Sequence, residues 1–149
     1  MKKFHFTLEK LKDFRDRELD RQKNALSALR TELRRINDAA ESLKIKVAEQ
    51  SAQLERVCAA GASASDVAMR KRYIVTLQQE IHLREQQAAE KQQEIDRQLD
   101  VVVEATKDVK TLEKLEEKQL EDYKALETKE NEQFIEEFVS GQAVRAGIH

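Results

Sequence analysis

The chain has 149 residues, of which 38% are charged and only 5% aromatic, with no proline, no tryptophan and three glycines. That profile excludes a sheet-rich domain with a thick interior and belongs to long helices and coiled coils. The formal net charge of −2, from 27 basic and 29 acidic side chains interspersed, also lacks the basic excess of a nucleic-acid binder.

The N-terminus, Met1-Lys2-Lys3, carries the charge of a signal sequence, but His5, Thr7, Glu9 and Lys10 interrupt any apolar region behind it. Nowhere does an apolar run approach the roughly 20 residues needed to cross a bilayer. The expectation is a soluble, cytoplasmic protein. Helix 1 starts near Thr7, which can act as N-cap, with Phe6 and Leu11 placed as a hydrophobic staple and Glu9 in the first turn favouring the dipole. Phe4, Leu8, Leu11 and Arg15 carry an early piece of an apolar seam, with a stutter between Leu11, Arg15 and Leu19 that locally unwinds a supercoil.

From Leu19 the seam runs unbroken through Gln22, Leu26, Leu29, Leu33, Ile36, Ala40, Leu43, Val47, Gln50, Leu54 and Val57, in steps of 3 and 4. Ten of these twelve positions are apolar. A second run has the same spacing: Ile74, Leu77, Ile81, Arg84, Ala88, Lys91, Ile95, Gln98, Val102, Ala105, Val109 and Leu112. Nine of these twelve are apolar. One helix cannot bury such a seam alone. Folded antiparallel, the runs register if paired residue numbers add to 124, which centres the turn on Ala62, within Ala59-Ala60-Gly61-Ala62-Ser63-Ala64-Ser65-Asp66. The predicted fold is all-α, a long antiparallel two-helix coiled-coil hairpin with helix 2 longer than helix 1.

As one domain, 1–149, the expected boundaries are helix 1 over 7–58, the turn over 59–66, helix 2 over 67–140 and a flexible tail over 141–149. Asp66 or Ser65 caps helix 2, and Gly141 is a suitable residue to end it. In this register Leu33 faces Lys91, Leu26 faces Gln98 and Ala40 faces Arg84. Either the long polar stems cover the seam and their charges reach solvent, or Leu26 and Leu33 are part-exposed contacts for another protein.

Past Leu112 the heptad falters, and Phe4 meets Leu120 where helix 1 runs out. Helix 2 continues through Tyr123, Leu126, Phe134, Ile135 and Phe138. Residues 122–138 would then project about 25 Å beyond the base of the hairpin, at about 1.5 Å per residue. Three of the seven aromatic residues lie on this uncovered stretch, which is suited to insertion into a groove or ring, or to self-association.

No chemistry-bearing constellation is apparent. His5, His82 and His149 are far apart, and Cys58 is the single cysteine, without a partner base. Glu116-Glu117 and Glu136-Glu137 fall on helix faces with no pocket to shift their protonation. The chain reads as non-enzymatic, with no catalytic residue, metal or cofactor.

Two end motifs resemble the FliJ family, the stalk component of the bacterial flagellar type III export apparatus. The family's N-terminal pattern, roughly K-F-x-F-x-L-E-x-L-L followed by arginine, is similar to Lys3-Phe4-His5-Phe6-Thr7-Leu8-Glu9-Lys10-Leu11-Lys12, with Arg15 following; Lys12 replaces the second leucine. Its L-E-K-L-x-E-K-x-x-E-x-Y segment is similar to the stretch from Leu112 to Tyr123, and its terminal E-Q-K-x-x-D-E pattern is echoed from Glu132 to Phe138, with Phe134 for the lysine and Glu136 for the aspartate.

The resemblance implies a hairpin like the central stalk of rotary ATPases. Its N- and C-terminal end would enter the hexameric export ATPase ring (FliI), and another part would meet the export gate protein FlhA and export chaperones. That assigns Phe4, Phe6, Tyr123, Leu126, Phe134, Ile135 and Phe138 to the ATPase ring, and Tyr73 and Leu77 to the gate. It implies no nucleic-acid partner, and a cytoplasmic location peripheral to the inner membrane through the gate. The equivalent stalk of a virulence secretion system, or a self-assembling structural coiled coil, would share many of these features.

Overall fold

The computed structural model describes residues 2–145 and Gly147. Two helices account for most of them: α1, Glu9–Ala59, and α2, Ala64–Arg145, of 51 and 82 residues. They pack against each other, the second longer than the first, and no strand occurs among the described residues. By packing, the chain divides into two compact units, one formed by residues 1–20 with 103–149 and the other by residues 21–102.

In the unit of residues 21–102, polar pairs across the helices include Gln22 with Gln98, Glu32 with Lys91 and Lys44 with Glu85. Partner numbers on α2 fall as those on α1 rise, so the helices run antiparallel. The paired numbers add to 120, 123 and 129, scattered about the predicted 124 because long side chains lean along the helix. All twelve seam positions from Leu19 to Val57 are buried or half-buried. So are those from Ile74 to Leu112, Arg84 alone being exposed. Leu26 is buried, and Lys91 closes the layer beside half-buried Leu33 with a side chain only 19% exposed, its ammonium held by Glu32 at 2.8 Å and Glu94 at 3.2 Å. The Lys91 stem is thus mostly covered while its charge is paired at the edge of the seam, and Leu26 is an interior residue, whereas Leu33 stays half-buried.

The turn is built by backbone chemistry. Gly61 adopts a positive φ of 87°. The Ala62 amide donates to the Val57 carbonyl at 3.1 Å, and the Gly61 amide to Cys58 at 3.2 Å. This is a Schellman end, in which the left-handed residue lets the chain leave the helix while satisfying its last carbonyls. The cap of α2 is Ser63, not Ser65 or Asp66: its hydroxyl accepts from the Asp66 amide at 3.2 Å. Asp66 instead occupies the first turn, where its charge suits the helix dipole and its carboxylate sits 3.5 Å from Arg70.

In the other unit, Lys12 pairs with Glu116 at 2.8 Å and Arg15 with Asp108 at 3.8 Å. The stutter residue Arg15 also lies 5.8 Å above the Phe14 ring, so its head group is occupied by a carboxylate and an aromatic face. Val109 and Leu112 are buried here.

The two outer helix ends differ from expectation as well. The first helix begins at Glu9, and Thr7 does not cap it, because its hydroxyl and the Gln119 amide are engaged with each other across the unit at 3.1 Å. At the far end, α2 runs through Gly141 to Arg145, and the left-handed glycine is Gly147, with φ of 70°. Of the expected tail, residues 141–145 are thus helical, while Ala146, Ile148 and His149 lie outside the described residues, as does Met1.

Candidate partner-binding surfaces

The residues expected at the ATPase-facing end fall into two groups, both within the unit of residues 1–20 and 103–149. Phe4, Phe6 and Tyr123 form a covered base. Residues 2–6 are not helical and lie along α2. Phe6 is 3% exposed, the Phe4 ring meets Tyr123 edge-on with centroids 5.6 Å apart, and the Tyr123 hydroxyl donates to the Lys2 carbonyl. Phe4 thus reaches Tyr123, about one turn beyond the Leu120 that the register pairs with it. An extended strand covers about 3.3 Å per residue against about 1.5 Å in a helix, so the N-terminal segment reaches further along α2 than a helical continuation would.

Beyond Tyr123 nothing among the described residues covers α2: every position from 124 to 142 is exposed. Phe134 is 69% exposed, Ile135 59% and Phe138 57%, with Leu126 and Val139 similar. Phe134, Ile135, Phe138 and Val139 stand at i, i+1, i+4 and i+5, which puts them on one face of the helix. Val139 was missed by the sequence reading, although its spacing of four from Ile135 is a signal for it. The same unit exposes Leu8, just before α1, and Leu11 and Phe14 on it, so Leu8 and Leu11, expected in the early seam, are surface residues. Seam periodicity gave no reason to single these out as surface.

The two gate-facing candidates, in the unit of residues 21–102, are separated by burial. Tyr73 is 46% exposed, with Met69 exposed one turn earlier, whereas Leu77 is 4% exposed and belongs to the hairpin interior. Four residues apart on one helix, they diverge because Leu77 is a seam position and Tyr73 flanks the seam. Leu77 thus presents no surface to a partner here, and Val75 and Leu83 line a shallow groove on α2 with Gln79 and His82.

The shifted groups are Lys12, held above its usual value by its hydrogen bond to Glu116, Lys91, raised by its hydrogen bonds to Glu32 and Glu94, and Glu32, held low by Lys91. All are ion pairs flanking the helix packing, not groups poised for proton transfer. Among the described residues no cluster of three metal-binding side chains occurs, no buried side-chain polar atom lacks a partner, and no helix is long and apolar enough to cross a membrane.

Searches of curated proteins and of solved structures find no match to the chain. The model of one family, described as the flagellar FliJ protein, matches residues 4–147. Nearly the whole chain is covered, including the N-terminal strap, both seams and the open end of α2. The chain belongs to the flagellar FliJ protein family, and with it to the proteins of the flagellar export apparatus.

Proposed function

We propose that this chain is a non-enzymatic stalk and adaptor that binds the hexameric export ATPase ring, promotes its assembly and activity, and links it to the export gate and to export chaperones. The observation that carries the reading is the open end of α2. Phe134, Ile135 and Phe138 are each more than half exposed on a helix that no other described segment covers. Exposed aromatic and aliphatic side chains clustered on one helical face are what a groove-binding helix presents to its receptor. The covered base of Phe4, Phe6 and Tyr123 anchors that helix to the N-terminal segment, which keeps the open end stiff and oriented at its root.

Tyr73 with Met69 is the corresponding candidate for the gate contact. Leu77 supports that surface from beneath and does not touch the partner. The proposed location is the cytoplasmic side of the inner membrane, at the export apparatus. A self-assembling coiled coil finds less support, because the long seams are already covered by packing within one chain.

The test is ATP turnover by the purified export ATPase with and without this protein. Stimulation that accompanies formation of ring-sized assemblies is the expected result, and F134A/F138A should weaken it while leaving the helical circular dichroism intact. An unchanged turnover rate and no co-elution would overturn the reading.

A further inference from the structure

The charge pattern around the open end of α2 says what kind of receptor it fits. At about 100° per residue, Phe134, Ile135, Phe138 and Val139 form a stripe along one side of the helix. Glu130 and Glu137 lie along the edge next to Phe134, and Glu132 and Glu136 along the opposite edge, next to Val139. All four glutamates are exposed. From residue 130 to 144 the sequence contains these four acids and no lysine, arginine or histidine, although the whole chain carries only −2. The flanking basic residues are Lys129, about 20° around the helix from Glu136, and Arg145, which ends α2 on the same face as Phe134 and Phe138, about two turns beyond Phe138.

We infer that the stripe docks into an apolar groove rimmed on both sides by lysine or arginine, and that the glutamate fences steer the helix into it. This rests on the reading that the open end of α2 binds the export ATPase, and it assigns the receptor chemistry on that partner. A second copy of this chain is a poor occupant. Stripe against stripe would bring two sets of four glutamates within a Debye length of about 8 Å at physiological salt, offset only by one Arg145 per chain at the end of the stripe. Charges on the rim of an interface act chiefly on the encounter rate and its salt dependence, whereas apolar anchors at its centre act on dissociation. The fence and the stripe therefore have separable signatures.

The experiment is surface-immobilised binding kinetics of the full chain on the purified hexameric export ATPase, between about 50 and 500 mM salt. For the unaltered chain the association rate constant should fall steeply with salt. E130Q/E132Q/E136Q/E137Q should associate about tenfold more slowly at the low-salt end, with a flattened salt dependence and a dissociation rate within about twofold of the original. F134A/F138A should do the reverse, accelerating dissociation with little change in association. All six side chains are exposed, so neither variant should lose helicity. If the glutamine variant associates like the original at every salt concentration, the basic-rimmed groove is overturned while the docking of the stripe stands on the phenylalanine variant. Absence of any binding by the unaltered chain would overturn both. Dimerisation in sedimentation velocity that the phenylalanine variant abolishes would replace the basic groove with a second copy.

Discussion

The side-chain amide of Gln98 donates to the Gln22 side-chain oxygen at 2.7 Å and to the Gln22 backbone carbonyl at 3.1 Å, placing a two-amide layer in the seam between α1 and α2. Apolar layers can slide by a heptad and still bury surface, but a paired amide layer is satisfied in only one alignment. The seam alone put Gln22 opposite Val102. The glutamine reaches back one turn because a part-buried amide is costly to leave unpaired.

Replacing both glutamines should therefore separate stability from register. Q22L/Q98L should melt at or above the temperature of the unaltered chain, whereas Q98L alone should cost about 1 kcal/mol. In a C58S background, the I36C/A88C pair tests the observed alignment and I36C/I95C tests a slip of one heptad. The slipped disulfide should appear only when the glutamine layer is gone.

The Glu32–Lys91–Glu94 cluster predicts a pH dependence with a definite sign. Its hydrogen bond to Lys91 holds Glu32 below the ordinary carboxylate value of 4.5, so this stabilisation is complete above that value and disappears as pH falls through the lowered one. Lys91 is raised above 10.5 by its hydrogen bonds to Glu32 and Glu94, so its share is complete below 10.5 and is lost as pH rises through the raised value. Thermal melts of K91M should show a shallower acid limb than the original. K91A, which also removes the stem covering Leu33, should lower the melting temperature at neutral pH further than K91M. Equal melting of the two variants would show that the stem contributes nothing.

Gly61 predicts a backbone effect with no lost contact. A Cβ at this position meets nothing within 4 Å, so G61A is opposed only by its positive φ. The left-handed conformation costs a residue with a side chain about 1–2 kcal/mol. Denaturant unfolding should move by that amount for G61A, while G141A, inside the helix, should stabilise by about 0.5–1 kcal/mol.

Phe6 is the side chain that holds the N-terminal segment on α2. Truncating a buried phenylalanine typically costs about 3–5 kcal/mol, and here the loss exceeds what a short non-helical segment can otherwise recover. Hydrogen exchange of F6A should show residues 2–8 released together with loss of the Thr7–Gln119 contact. Protection around Leu26, Ala40 and Ile95 should be unchanged.

Periodicity in the sequence determined the seams, their antiparallel pairing and the site of reversal, because a 3-4 apolar repeat can be buried in few ways and Gly61 was the mid-chain residue suited to a left-handed turn. It also showed that helix 2 outruns helix 1 and that Phe134, Ile135 and Phe138 lie past the covered part. Tertiary structure alone decided two things. Gly61 ends its helix, while Gly141, equally able to, stays helical, since only at Gly61 does packing of α2 on α1 reward reversal. Thr7 became a contact of Gln119 instead of a cap, and Phe4 reached as far as Tyr123, because an extended segment travels further per residue than a helix.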